Sequence, residues 1–171
     1  MKHKYGAYAG IREVDGQEIH FASRMEFNYY LYLRWLKQQE EIQDFEYQPK
    51  AFDFHRRAEE RRDLWDKDWL PQKKKYRADF RMKEKNGEEY YVETVGKLRR
   101  DHTRNFKLLR QLFPEVKLRV VTREQYKNIE ISVSGIIPEW EKGGFKEERS
   151  PFLRRGRRVY LEDLQAARRR R

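Results

Sequence analysis

Apolar and polar residues alternate most regularly along Tyr76-Arg77-Ala78-Asp79-Phe80-Arg81-Met82-Lys83. A two-residue period predicts a strand with one apolar and one charged face. Asn86-Gly87 is a turn signal, and Tyr90 to Val95 reads as the returning strand of a hairpin. The length of the loop decides which side chains face each other. A plain two-residue turn at Asn86-Gly87 pairs Lys85 with Glu88 and sets Asp79 opposite Thr94. A loop with an odd residue count, with Gly87 as the left-handed residue of a G1 bulge, sets Asp79 opposite Glu93 instead. The second register is expected, with a bulge in or near residues 84–91. It would put Asp79 and Glu93 on one face and Tyr76, Ala78, Phe80 and Met82 on the opposite, core-facing side.

Elsewhere the period is helical. Ser23-Arg24-Met25-Glu26 has the form of a capping box, and Phe27, Tyr30, Leu31 and Trp35 then recur as a buried stripe. Phe45-Glu46-Tyr47 reads as a short strand. From about Asp101 to Phe113 a helix is indicated by Phe106, Leu109 and Phe113, and Pro114 stops it. Val116, Leu118 and Val120 then alternate as another strand. Helix, strand, hairpin, helix and strand in that order predict an α/β (α+β) fold, helices flanking a mixed β-sheet. Residues 1–19 read as a polar arm and residues 20–150 as the folded domain. Residues 55–75 read as a basic excursion in which Leu64, Trp65 and Trp69 interleave with charge, and residues 151–171 as a basic tail ending in Arg168 to Arg171.

Composition narrows the partners. The 171 residues carry 40 Lys+Arg against 29 Asp+Glu, a formal net charge of +11, which favours a polyanion through counterion release. Cysteine is absent, so disulfides and thiolate metal sites are excluded. No apolar run approaches the roughly 20 residues of a membrane helix, and the first residues carry no secretory pattern. The expectation is a soluble, cytoplasmic protein without a membrane partner. The four histidines lack the paired spacing of a zinc site, and no glycine loop cradles a nucleotide phosphate, so no nucleotide cofactor is expected.

The candidate chemistry lies on the hairpin. Hydrolysis of a phosphodiester needs a water deprotonated near neutral pH and charge neutralised on the leaving oxygen; Mg²⁺ serves both needs and takes carboxylate oxygens. Asp79 and Glu93 on adjacent strands, with Glu26 from a helix, could hold one or two such ions. Each also has a plainer role open to it. Glu26 completes the capping box, Asp79 can pair with Arg77 or Arg81, and Glu93 can pair with a neighbouring cation at the strand surface.

At Tyr76-Arg77-Ala78-Asp79-Phe80 and Val92-Glu93-Thr94-Val95-Gly96 the chain resembles the phage endonuclease I family, the Holliday junction resolvases of the PD-(D/E)XK nuclease superfamily. The resemblance continues through Lys107-Leu108-Leu109-Arg110, Pro114-Glu115, Leu118-Arg119-Val120-Val121 and Ile136-Ile137-Pro138-Glu139-Trp140, over most of residues 20–155. It implies a restriction-endonuclease-like sheet in an intertwined homodimer that cuts branched DNA at four-way junctions. The metal, Mg²⁺ or Mn²⁺ as one or two ions per site, would be held by Glu26, Asp79, Glu93 and the backbone carbonyl of Thr94. The implied setting is a phage-infected bacterial host or the nucleoid.

One position departs from the family: Val95 stands where its catalytic lysine would be. Valine donates no hydrogen bond and neutralises no phosphate. Lys97, the next residue of that strand face, or Lys83 on the neighbouring strand would have to supply the ammonium. Two other readings share these residues. One is a restriction- or transposon-type endonuclease of the same superfamily. The other is a non-catalytic, structure-specific DNA-binding protein on a nuclease scaffold.

Overall fold

The computed structural model describes residues 9–62, 71 and 74–142. Leu64, Trp65, Trp69 and the basic tail from Pro151 lie outside these residues. The chain falls into two compact units, residues 33–123 forming one and the segments to either side the other.

The first unit begins with a hairpin, strands β1 (Gly10–Val14) and β2 (Gln17–Phe21), where the sequence pattern suggested only a polar arm. Its turn is Asp15-Gly16, both at positive φ, the geometry that a two-residue hairpin loop requires. Helix α1 (Arg24–Gln38) follows and carries on into the second unit, and helix α4 (Arg123–Val133) returns to the first. No alternating pattern announced α4, because its buried Tyr126 and Val133 are separated by mixed polar and β-branched residues.

This unit is pinned by a buried polar network. The Asn28 amide donates to Tyr126 Oη at 2.7 Å and to the Glu141 carbonyl at 2.9 Å, while the Glu141 N–H donates back to Asn28 Oδ1 at 3.0 Å. Three of the four hydrogen bonds open to an asparagine amide are thereby made, which is what complete burial of the group demands. Burial pushes the Tyr126 hydroxyl up to about 12, so it stays protonated in the network. Arg12 forks onto Glu141 at 2.7 and 3.0 Å and lies over the Phe27 ring at 4.8 Å.

The second unit holds a mixed sheet in the order β3 (Ile42–Tyr47), β6 (Phe80–Glu84), β7 (Glu89–Val95), β8 (Leu118–Thr122). The first two pairings are antiparallel and the last, across helix α3 (Arg100–Leu112), is parallel. A short ladder of β4 (Phe52–Asp53) and β5 (Lys75–Tyr76) and the helix α2 (Phe54–Glu60) complete it. One core joins Phe54 and Ala58 of α2, Tyr76, Ala78 and Val95, and Phe106, Leu108, Leu109 and Leu112 of α3. On the opposite face of the sheet Phe80, Met82, Val92 and Val121 are buried. The result is a mixed α/β fold with helices flanking a multi-strand sheet. Among the described residues no helix is long and apolar enough to cross a membrane.

The β6–β7 hairpin has the odd loop. Lys83 lies opposite Glu89, the Glu84 N–H donates to the Glu88 carbonyl at 2.8 Å, and the Gly87 N–H donates to the Glu84 carbonyl at 2.9 Å. Lys85, Asn86 and Gly87 therefore close the turn, with Gly87 at φ +84°. Side chains hold it as well: Asn86 Oδ1 accepts the Glu88 N–H at 2.9 Å. Lys117, Tyr90 and Asn86, in that order of effect, keep the Glu88 carboxyl down at about 2.

The expected facing of the first strand is only half right. Phe80 and Met82 take the face opposite Asp79, but Tyr76 and Ala78 join the α3-side core instead. The reason is that no single strand runs from residue 76 to residue 82: β5 ends at Tyr76, residues 77–79 leave the ladder, and β6 starts at Phe80. The alternation in the sequence spans a break at which the facing is reset.

Gly87 gives a direct test of the loop. Gly87→Val forces a β-branched residue into the left-handed region, at a cost of roughly 1–2 kcal/mol. Gly96→Ala, where an added Cβ meets nothing within 4 Å, should stay within about 0.5 kcal/mol of the parent. Urea denaturation of both variants reads the difference, and equal midpoints would exclude the bulged turn.

Candidate active site on the hairpin

Continuing the ladder from Phe80 opposite Val92 by one residue sets Asp79 opposite Glu93. Strand β7 runs on past the first residue of β6, so the inward N–H of Thr94 meets no strand carbonyl there. The Asp79 side chain takes that place: Oδ2 accepts the Thr94 N–H at 2.7 Å and the Thr94 hydroxyl at 2.7 Å. The Asp79 carbonyl accepts from the Gln48 N–H at 2.7 Å, which fixes its backbone to the end of β3. Asp79 is thus half-buried, its carboxylate held by Thr94 and its backbone carbonyl by Gln48.

Glu93 sits on the α3 face of β7 between Tyr91 and Val95, with Val120 of β8 beside it. Its Oε2 accepts the hydroxyl of Tyr76 at 2.9 Å. The Tyr76 ring is nearly parallel to Phe52 and to Phe54, at 6.3 and 6.1 Å between centroids, and meets the edge of Phe106 at 6.4 Å. Burial, then the charge of Glu93 and its hydrogen bond, then Asp79, drive the Tyr76 hydroxyl well above the ordinary tyrosine range. It remains a proton donor to the carboxylate. The alternation assigns Tyr76 to the core alone; its place at the head of the Tyr-x-x-Asp segment is the signal that links it to Asp79.

Of the residues expected in the site, Asp79, Glu93 and Thr94 come together, Thr94 through its N–H and hydroxyl. Glu26 belongs to the other unit. There it completes the capping box of α1, with its N–H donating to Ser23 Oγ at 3.1 Å, Oε1 accepting from the Ser23 hydroxyl at 3.1 Å and Oε2 from the Ala22 N–H at 3.3 Å. Lys97 lies beyond the end of β7 and is exposed, not on the strand itself. Lys83 faces the same way as Asp79 but four residues along β6, roughly 13 Å away. Val95 is 4% exposed within the α3-side core, so a lysine there would have to leave it or bury its charge. Among the described residues no group of three or more His, Cys, Asp or Glu comes together as a metal-holding cluster.

The Tyr76–Glu93 bond makes two predictions. Tyr76→Phe keeps the ring stack and removes one hydrogen bond to a charged group, a loss of about 1.5–3 kcal/mol. The raised folded pKa also sets a pH dependence. Its contribution to stability is present below the unfolded tyrosine value of about 10 and is lost as pH rises above it. Denaturation midpoints measured between pH 8 and 11 should therefore fall less steeply for Tyr76→Phe than for the parent. Parallel profiles would remove Tyr76 from the site.

No curated protein matches this chain. A family model described as "Protein of unknown function (DUF1064)" matches residues 2–128, from ahead of the first hairpin through the acid-bearing hairpin and into α4. With well over half of its length matched, the chain belongs to the DUF1064 family.

Proposed function

We propose that this protein is a metal-dependent endonuclease that hydrolyses phosphodiester bonds in DNA, with four-way junctions as its preferred substrate. The observation that carries the reading is the register that sets Asp79 opposite Glu93 on one face of a hairpin. Both side chains offer hard oxygen donors, the type taken by Mg²⁺ and Mn²⁺. Magnesium is commonly held by only one or two carboxylates, its other positions going to water and substrate phosphate. A pair of acids, without a third, fits that demand. A bound ion would lower the pKa of its water and offset charge on the scissile phosphate.

The chain's own part is positioning. Thr94 orients the Asp79 carboxylate, and Tyr76 orients Glu93 from within a rigid aromatic stack. Glu26 as a further ligand, Lys97 as the ammonium, the intertwined homodimer and the junction preference all rest on the resemblance to the phage endonuclease I family. A second reading, a non-catalytic junction-binding protein, is favoured by the burial of Val95 where that family carries lysine.

Calorimetric titration with Mg²⁺ or Mn²⁺ and a cleavage assay on a four-way junction separate the two. Asp79→Asn and Glu93→Gln should each abolish ion binding and reduce cleavage by about 10²-fold or more, while junction affinity in EDTA stays unchanged. Lys97→Ala or Lys83→Ala should abolish cleavage if that side chain supplies the ammonium. Ion binding that survives both acid substitutions would overturn the site, and a parent protein that binds junctions but cuts none would establish the second reading.

A further inference from the structure

The solvent face of α3 carries a row of cations at Arg100, Arg104, Lys107 and Arg110, spaced by three and four residues so that they follow one side of the helix. Asp101 is the helix's single acid. Several cations elsewhere on this unit are ion-paired: Lys37 with Asp44, Arg56 with Glu60, Arg81 with Glu46 and Lys117 with Glu88. Arg100, Lys107 and Arg110 have no such carboxylate within 4 Å among the described residues.

Beside this row lies an open depression of about 330 Å³ lined by Leu98, Thr103, Phe106, Lys107, Arg110 and Gln111. Its volume is at the lower end of ligand sites, which run from roughly 300 to 1,000 Å³. Leu98 stands at the rim with 60% of its surface exposed and adds apolar area to the depression. Apolar surface for a ring, flanked by cations at phosphate-like intervals, is the combination that sites for single strands use. Phe106 also meets the edge of Tyr76, whose hydroxyl holds Glu93, so the depression and the hairpin site share one packed side chain.

We infer that α3 binds a DNA strand bearing an unpaired nucleotide, with the base against Leu98 and Phe106 and the flanking phosphates along Arg104, Lys107 and Arg110. This rests on the nuclease reading only in taking the polyanion to be DNA. It deepens that reading by naming an unstacked base as the feature recognised. Overhangs, flaps and a junction opened at its centre offer such bases, and an intact duplex does not.

The test measures binding in EDTA by fluorescence anisotropy with the full chain, so that it does not depend on catalysis. The probes are a blunt duplex and the same duplex with a short thymidine overhang. Lys107→Ala/Arg110→Ala should weaken binding of the overhang probe about tenfold or more and reduce the log–log salt slope by roughly 1.4, two phosphates' worth on a single strand. Lys50→Ala/Lys85→Ala, which removes the same charge from exposed positions elsewhere on the unit, should leave both nearly unchanged. Leu98→Ala should erase the preference for the overhang while duplex affinity holds. Equal losses from both double variants would overturn the phosphate row, and a preference that survives Leu98→Ala would overturn the base site. Asp79→Asn should bind as the parent does, so loss of cleavage with retained overhang binding would assign any failure to the hairpin acids and not to α3.

Discussion

The candidate site depends on the turn formed by Lys85, Asn86 and Gly87. Side chains on a strand alternate between faces, so a one-residue change in loop length moves every residue of the returning strand to the other side. With an even loop, Glu93 would face away from Asp79 and from Tyr76. With the odd loop, three independent contacts agree: the ladder from Phe80–Val92, the Asp79–Thr94 bonds and the Tyr76–Glu93 bond. Gly87 makes that loop inexpensive because it reaches φ +84° without a Cβ to clash. The Glu88 carboxylate then fastens the turn to Lys117, next to the start of β8.

Local rules made much of this legible in the sequence. The Ser23–Glu26 capping box, the strand at Phe45–Tyr47, the turn at Asn86-Gly87 and the helix ending before Pro114 all depend on residues within a few positions of one another. The register was legible too, since Asn-Gly supports a bulged loop and only that loop brings two acids to one face. What local rules could not reveal was the break after Tyr76. Tyr76-Arg77-Ala78-Asp79-Phe80 alternates perfectly, yet β5 pairs with β4 and β6 pairs with β3 and β7. Pairing partners distant in sequence decided where one strand stopped and the next began, and Tyr76 thereby reached Glu93. The first hairpin escaped notice for a related reason: its Asp15-Gly16 turn is local, but the residues around it are too polar to suggest strands on their own.

The two units solve the burial of polar groups differently. Around Asn28 most of the hydrogen-bonding capacity is met from within, by amide, hydroxyl and backbone groups that satisfy one another. Such an arrangement specifies packing and does little chemistry. Around Asp79 and Glu93 the carboxylates are only half-buried, and Thr94 and Tyr76 donate hydrogen bonds that orient them. Two negative charges brought close by a fixed register repel each other, and a partly dry setting sharpens that repulsion. Nearby, Glu46, Glu84 and Glu88 pair with Arg81, Arg119 and Lys117.

Val95 bears on the same balance. In the resembled family the third residue of Glu-x-Lys places an ammonium beside the acids, which offsets their repulsion from within the protein. Here that position is filled by a branched alkyl group packed in the core with Phe106 and Leu109. Val95 thereby fills the core and presents no cation beside the acids. Under the endonuclease reading proposed above, a divalent ion or Lys97 would supply positive charge beside Asp79 and Glu93. The orientation of the two acids therefore comes from Thr94 and Tyr76, whose donors sit on the same strand pair and on β5.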